Sequence, residues 1–153
     1  GKSVGRINAP LLLALCAGTN IENVMINGSC LCGSVKYEIS GSVGDIVHCH
    51  CDTCKKAHGS AFSSVSAVQD CDFHLLSKDH LKSYESSTGK HRYFCSNCGS
   101  QIYAKRDNTS HIILRLGSLD SDIDSPEKEH IWVSQKSNWY SINSELPERE
   151  EFE

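Results

Sequence analysis

Hydrophobic and polar residues alternate along most of the chain from Asn27 onward, a pattern typical of half-buried β-strands. In the clearest example, Val35, Tyr37 and Ile39 alternate with polar residues. Further strands are predicted at residues 45–50, 61–68, 72–76, 80–85, 91–94, 101–106, 111–116, 130–133 and 139–142. Residues 52–58 are predicted to form the one helical turn. Many short strands with very little helix predict a mainly β domain.

Residues 1–24 do not share this pattern. An apolar run at residues 11–17, behind Lys2 and Arg6, superficially resembles a secretory signal. The run is short, however, and no small-residue cleavage site follows it cleanly. We therefore expect residues 1–24 to be an N-terminal extension or an expression-derived lead, and residues 25–153 to be one zinc-binding domain on the cysteine evidence below.

Composition and charge narrow the choice of partners. The 153 residues include 15 Lys and Arg against 19 Asp and Glu, which gives a net charge of −4. A mildly acidic chain without a basic stripe argues against a nucleic-acid partner. No apolar run approaches the roughly 20 residues of a membrane span, so we expect no membrane association.

Cysteine is the unusual component of the composition, with nine residues. Seven of them fall into three tight groups: Cys30 and Cys32; Cys49, Cys51 and Cys54; and Cys95 and Cys98. In a strand, residues i and i+2 project from the same face, so a Cys-x-Cys pair offers two sulfurs to one ion. The segment from Cys95 to Gly99 has the form of a zinc knuckle, in which the glycine tolerates a positive φ.

The grouping predicts two different metal sites. Together the first and third groups supply four thiolates, the ligand set of a closed structural Zn²⁺ site, whereas the second group supplies three and leaves one position open, as catalytic zinc sites do. Disulfides within such short loops would be strained, and inert buried thiols are a further alternative. Cys16 and Cys71 stand alone and are interpreted as small apolar residues. His48 and His50 are interpreted as packed or supporting residues rather than as ligands.

These residues carry a resemblance to a known family. The segments 25–35, 49–56 and 94–100 resemble the glutathione-dependent formaldehyde-activating enzyme family, which also contains centromere protein V. The ending of the chain, with Trp132, Trp139 and the segment 146–148, looks similar too. The resemblance implies an Mss4-like fold of several small coiled antiparallel sheets held by two zinc ions. It also implies S-(hydroxymethyl)glutathione synthase activity, a carbon–sulfur lyase reaction, and leaves other small carbonyls open as substrates.

By the same resemblance, each cysteine has an expected role. Cys30, Cys32, Cys95 and Cys98 would hold the structural zinc. Cys49, Cys51 and Cys54 would hold the catalytic zinc, with glutathione as co-substrate near them.

A mechanism follows as a hypothesis from three protein thiolates around one Zn²⁺. The ion can accept the glutathione sulfur and lower its pKa, so that this sulfur attacks the formaldehyde carbon. Lys55 and Lys56 are the nearest candidates to bind the glutathione carboxylates, although both could also lie in a solvated turn. Lys136 and Trp139 are further candidates. Trp132 and Trp139 are interpreted first as packing residues.

Two other functions fit parts of the sequence. One alternative is a non-catalytic zinc module that binds a protein or nucleic acid. A protein side chain as fourth ligand of the second zinc would favour this module, whereas a thiol or water there would favour the enzyme. A methionine sulfoxide reductase needs a nucleophilic cysteine late in the chain, and none follows Cys98. Reduced thiols predict a cytoplasmic location. The partners expected are a small-molecule thiol and an aldehyde, and the oligomeric state is left open.

Overall fold

A computed structural model describes residues 25–152, and every structural statement below refers to that part of the chain. It contains one short α-helix, α1, at Asp52–His58 and three 3-10 turns at residues 70–72, 116–118 and 133–135. The strands are β1 (Ile26–Ser29), β2 (Lys36–Ile39), β3 (Ile46–Cys49), β4 (Ser63–Gln69), β5 (Phe73–Ser77), β6 (Leu81–Ser87), β7 (Lys90–Cys95), β8 (Gln101–Arg106), β9 (His111–Arg115) and β10 (Glu127–Ile131). The mainly β prediction is confirmed.

The strands form two sheets. A three-stranded sheet has the order β1-β2-β5, and a seven-stranded sheet has the order β10-β3-β4-β9-β8-β7-β6. All pairs are antiparallel except β10 with β3, which is parallel. The prediction of small antiparallel sheets therefore holds, with one parallel pair at the edge of the larger sheet.

The main core lies between the two sheets. Tyr37 of β2 stacks against Phe73 of β5 within the small sheet, and the Phe73 ring lies 5.0 Å from that of Tyr103 in the large sheet. Fully buried Ile102 and Leu114 extend this core. Burial of these apolar side chains is the main force that holds the sheets together.

The sequence pattern located most of these elements. Gln101–Arg106 and the helix Asp52–His58 have the predicted bounds, whereas β1 was not among the predicted strands. The last two predictions were wrong. The strand expected at 130–133 is β10, displaced toward the N-terminus, because Trp132 has a left-handed backbone (φ 57°) that ends it.

Residues 139–142 form no strand. Lys136 Nζ donates hydrogen bonds to the carbonyl oxygens of Ser137 and Tyr140, so a side chain satisfies carbonyl groups in this region that a neighbouring strand would otherwise satisfy.

Two further observations concern single features of the chain. Cys71 is disulfide-bonded, which corrects its interpretation as a small apolar residue. The expectation for Cys16, like that for the whole segment 1–24, lies outside the described residues. Within residues 25–152, no helix has the length and apolar character needed to cross a membrane.

Candidate metal centres

Four cysteines converge where the two sheets meet, and we call them the first cluster: Cys30, Cys32, Cys95 and Cys98. Their sulfurs all lie within 4.8 Å of one another. The Sγ atoms of Cys30 and Cys32 are 3.6 Å apart, and those of Cys32 and Cys95 are 3.8 Å apart. A tetrahedral zinc with Zn–S bonds of ~2.3 Å places its sulfurs about 3.8 Å apart. The first cluster therefore fits a structural Zn²⁺.

Backbone geometry shapes both halves of the first cluster. Gly33 follows Cys32 and Gly99 follows Cys98, and both glycines have left-handed backbones, with φ of +80° and +82°. This conformation is costly for residues with a Cβ. It lets each turn reverse directly behind the second cysteine of its pair.

Hydrogen bonds support the sulfurs as thiolates. The Val35 amide donates to Cys30 Sγ at 3.2 Å, and Asn97 Nδ2 donates to Cys32 Sγ at 3.2 Å. A hydrogen bond from Ser100 lowers the pKa of Cys98 to about 5. Such partners orient metal ligands and stabilise their charged form.

The remaining three cysteines form the second cluster: Cys49, Cys51 and Cys54. Cys49 ends β3, Cys51 caps the N-terminus of α1, and Cys54 lies in the first turn of that helix. The Cys54 amide donates to Cys51 Sγ at 3.3 Å, so the helix cap itself brings these two residues together. Because all three come from a stretch of six residues, their convergence depends on local structure.

The donor set of the second cluster fits a metal with a free position. The three sulfurs lie within 4.8 Å of one another, and no described His, Cys, Asp or Glu joins them as a fourth ligand. Three protein ligands with an open position is the arrangement of catalytic zinc sites. Cys49 and Cys54 are buried, whereas Cys51 is partly exposed.

Two buried arginines share the sheet face of the second cluster. Cys49 pairs with Ser63 on β4, and Val65, two residues further along β4, pairs with Arg115 on β9. Since paired residues and residues i and i+2 share a face, Cys49 and Arg115 lie on the same side of the large sheet. Arg92 on β7 pairs with Ala104 on β8, which pairs with Ile113 on β9, two residues before Arg115. By the same rule, Arg92 lies on this side of the sheet as well. The opposite face carries Tyr103 and the main core.

These arginines act on the charge of the second cluster. Both Nη atoms of Arg92 lie 3.9 Å from Cys54 Sγ. Hydrogen bonds from the Cys49 and Cys51 thiols, followed by the positive charges of Arg115 and Arg92, lower the pKa of Cys54. The surroundings of Cys54 therefore favour its charged form.

Two cavities lie on either side of this region and share Gln101. The first, which we call the Arg115 cavity, has a volume of about 540 Å³ and is lined by residues that include Cys30, His58, Ser63 and Arg115. The second, the Arg92 cavity, has a volume of about 490 Å³, and its lining includes Lys56 and Tyr84. The three cysteines of the second cluster line neither cavity, so a ligand would reach them past these neighbours.

The lysines predicted to bind glutathione have different environments. Lys55 Nζ donates to the carbonyl oxygen of Gln135 and to Ser137 Oγ, and it also pairs with Asp52, so it fastens α1 to the segment after β10. Lys56 is exposed and lines the Arg92 cavity.

The other residues considered as glutathione contacts or packing residues also differ in their environments. Lys136 is bound to backbone oxygens, as described above. Trp132 packs against the second cluster, in agreement with its interpretation as a packing residue. Trp139 is 70% exposed and lines a smaller cavity of about 300 Å³ beside Lys55. Its interpretation as a packing residue does not fit this exposure.

His48 and His50 do not belong to either cluster, as predicted. They pack against His130 with tilted rings whose centroids are about 5 Å apart, in a buried group behind β3. Burial, followed by the charges of its neighbours, lowers the pKa of His50 to about 4, so its ring is neutral at pH 7.

Arg92 and Arg115 were missed by the sequence analysis. A signal existed for Arg115, because it directly follows the three apolar residues 112–114 of one strand. Charged residues are almost never fully buried unless they are paired, so a charged residue in such a strand indicates a partner or a binding site.

The chain is similar to known proteins in sequence and in fold. A curated relative, an uncharacterized lyase of Schizosaccharomyces pombe, is 30% identical over 76 residues, which is 50% of this chain and 54% of the relative. The chain thus matches about half the length of that protein. A crystal structure of a Rhodobacter sphaeroides protein superposes with a TM-score of 0.54 at 18% identity, covering 67% of this chain and 99% of that one, and shows the shared fold.

A family model extends the match to most of the described chain. The model of the glutathione-dependent formaldehyde-activating enzyme matches residues 25–135, a range that contains both cysteine clusters and both buried arginines. The chain belongs to the glutathione-dependent formaldehyde-activating enzyme family.

Proposed function

We propose that this chain is a zinc-dependent carbon–sulfur lyase that reversibly adds the thiol of glutathione to formaldehyde or a related small carbonyl, giving S-(hydroxymethyl)glutathione. The observation that carries the proposal is the second cluster: three converging cysteines, no fourth side-chain ligand among the described residues, and two buried arginines on the same face. Family membership supports the reaction class.

The residues of the second cluster would perform one task, which is to hold the ion. A zinc bound there would supply a Lewis-acidic position that lowers the pKa of an incoming thiol. Two of the three ligands, Cys49 and Cys54, are buried, and the third, Cys51, is partly exposed. Arg92 and Arg115 offset negative charge gathered at the site.

The reaction is balanced without any other reactant. The sulfur of the thiol forms a bond to the carbonyl carbon, the π electrons of the C=O bond move to oxygen, and the proton lost from sulfur ends on that oxygen. The reverse reaction breaks the C–S bond. Because both reactants are small and the uncatalysed addition is easy, proximity within the site accounts for much of the benefit.

An exchange measurement tests the proposal. Zinc-loaded protein is added to ¹³C-formaldehyde and glutathione, and exchange NMR measures the rate of interconversion between free formaldehyde and the hemithioacetal. We expect faster exchange with the wild-type chain than with buffer, and the buffer rate with Cys51→Ser. Equal rates for wild type and buffer would refute catalysis.

A non-catalytic zinc module is the second candidate, favoured by one observation. The three cysteines of the second cluster line neither of the two larger cavities, and two of them are buried. A module of this kind would bind two zinc ions and leave the exchange rate at the buffer value, so the same NMR experiment separates the two functions.

The remaining parts of the proposal concern cofactors and location. Two zinc ions per chain, one in each cluster, and glutathione as co-substrate are the cofactors proposed. A cytoplasmic location is proposed on the seven clustered cysteines alone, which are free thiols of the kind that a reducing compartment preserves. The disulfide at Cys71 is evidence against this location.

A further inference from the structure

The guanidinium of Arg115 has buried donors without acceptors. Its side chain belongs to a residue only 3% exposed, and its Nε and Nη2 atoms have no hydrogen-bond partner in the described chain. No described carboxylate lies within ion-pair distance of Arg115 or of Arg92. A buried charged donor left without an acceptor is costly, so an acceptor from outside the chain is expected here.

The Arg115 cavity has room for a ligand that carries such an acceptor. Arg115 lines it together with His58 and Ser63, which are hydrogen-bonded to each other. The cavity volume of about 540 Å³ is in the range of small-molecule sites. Asp120, which accepts a hydrogen bond from Ser29, is the one acidic residue of its lining, and it forms no ion pair with Arg115.

The charge balance points to an anion. Three thiolates around a divalent ion have a net charge of about −1, and the thiolate of a bound reactant makes it about −2. Three basic side chains share this face of the sheet, namely Arg92, Arg115 and Lys90, whose pKa is lowered by burial and then by the charges of both arginines. The arrangement is therefore one negative charge short. A guanidinium binds a carboxylate through two parallel hydrogen bonds, and this is its preferred partner among small organic anions.

We infer that the Arg115 cavity is a carboxylate-binding subsite, in which Arg115 holds a carboxylate of one of the two reactants and thereby selects acidic substrates. Gln101 adds a second criterion, because it lines both this cavity and the Arg92 cavity and its Oε1 atom is buried without a donor. A ligand with both a carboxylate and an N–H group, such as a peptide thiol, would satisfy both residues. The inference depends on the proposed function for the identity of the reactants, but the subsite itself does not.

Binding of an unreactive probe tests the subsite separately from catalysis. S-methylglutathione has the carboxylates of glutathione but no free thiol, and its dimethyl ester lacks the charges. We expect the zinc-loaded wild-type chain to bind the acid at least tenfold more tightly than the ester in calorimetry. Equal affinities of acid and ester, together with no Arg115-dependent binding of glyoxylate, would overturn the inference.

Substitutions then assign the subsite to Arg115. Arg115→Met should weaken probe binding by about 10- to 100-fold, the loss expected for a charged hydrogen bond, with two zinc ions retained by elemental analysis. Arg115→Lys should retain part of the affinity. Arg106→Met is the control, because Arg106 is exposed and lines none of the three cavities, and it should bind as the wild type does.

The two sources of a carboxylate are distinguished by a second probe. Glyoxylate is a carbonyl reactant that itself contains a carboxylate. A loss of affinity in Arg115→Met for S-methylglutathione assigns the subsite to the thiol, and a loss for glyoxylate assigns it to the carbonyl. If Arg115→Met instead releases zinc and leaves both affinities per bound zinc unchanged, Arg115 serves only as a counter-charge to the thiolates and the inference is wrong.

The wild-type comparison of acid and ester, together with Arg115→Lys, decides the question if Arg115→Met does not fold. Tight binding of the acid without faster NMR exchange would support the subsite and refute the proposed lyase. Faster exchange with equal binding of acid and ester, and no Arg115-dependent glyoxylate binding, would support the proposed lyase and refute the subsite.

Discussion

At the scale of single residues, the first cluster depends on backbone positions as well as on sulfur. Gly33 and Gly99 follow the second cysteine of each pair with a left-handed backbone. A Cβ added at Gly99 would meet nothing within 4 Å, so the demand at this position is conformational and not steric. The sequence indicated this role for Gly99, because a glycine directly after a Cys-x-x-Cys pair is typical of zinc knuckles.

Replacement of Gly99 by alanine should therefore destabilise the protein through the backbone alone. We expect Gly99→Ala to lower the free energy of unfolding by about 1–2 kcal/mol, the cost of a left-handed residue with a Cβ. Gly117→Ala is the matched control, since Gly117 also has open space around it but no left-handed φ. Urea denaturation of the zinc-loaded proteins measures both. Equal effects of the two substitutions would contradict the conformational argument.

At the scale of elements, α1 and its N-terminal cap both supply cysteines of the second cluster and attach the helix to a neighbouring segment. Its N-terminal cap supplies Cys51 and its first turn supplies Cys54, while Lys55 fastens it to the backbone at residues 135–137. The sequence predicted the helix and its cysteines, but it treated Lys55 and Lys56 alike. Adjacent helical residues point about 100° apart, and only the packed structure decides which of them faces a neighbouring segment.

Neutral substitutions at the two lysines should separate these roles. Lys55→Met is expected to lower the free energy of unfolding by about 1–2 kcal/mol, because it removes hydrogen bonds from a charged donor to a partly buried backbone oxygen. Lys56→Met should leave stability unchanged, since Lys56 is exposed. Thermal and urea denaturation give the comparison. A larger loss from Lys56→Met would contradict the assignment of Lys55 as the fastening residue.

At the scale of the whole molecule, the two clusters hold different parts of the fold. The first cluster joins Cys30 and Cys32, which follow β1 of the small sheet, to Cys95 at the end of β7 and Cys98 in the turn before β8 of the large sheet. The second cluster joins only the end of β3 to the helix that follows it. A crosslink between distant segments restricts the unfolded chain more than a local one does.

Loss of one ligand should therefore have unequal consequences. Cys95→Ser should unfold the domain, because it breaks the cluster between the sheets and places a hydroxyl in the buried core. Cys51→Ser should release one zinc per chain and leave the fold in place. Circular dichroism and elemental analysis measure fold and metal. Two folded mutants with two metals each would contradict the division into a closed and an open site.

The sequence by itself determined the strand-rich fold, the helix at 52–58 and the division of seven cysteines into four and three. The strands, the helix and the three cysteine groups are local features, since they depend on alternation, turn residues and spacings of a few positions. The union of the groups at 30–32 and 95–98 in one cluster was predicted from ligand count, and it is a long-range contact that the tertiary structure makes. The tertiary structure alone decided which charged groups surround the second cluster. Arg92 and Arg115 come from strands far apart in sequence, and only the register of β7, β8, β9 and β4 puts both on the face of Cys49. Strand register depends on long-range pairing, which no single segment encodes.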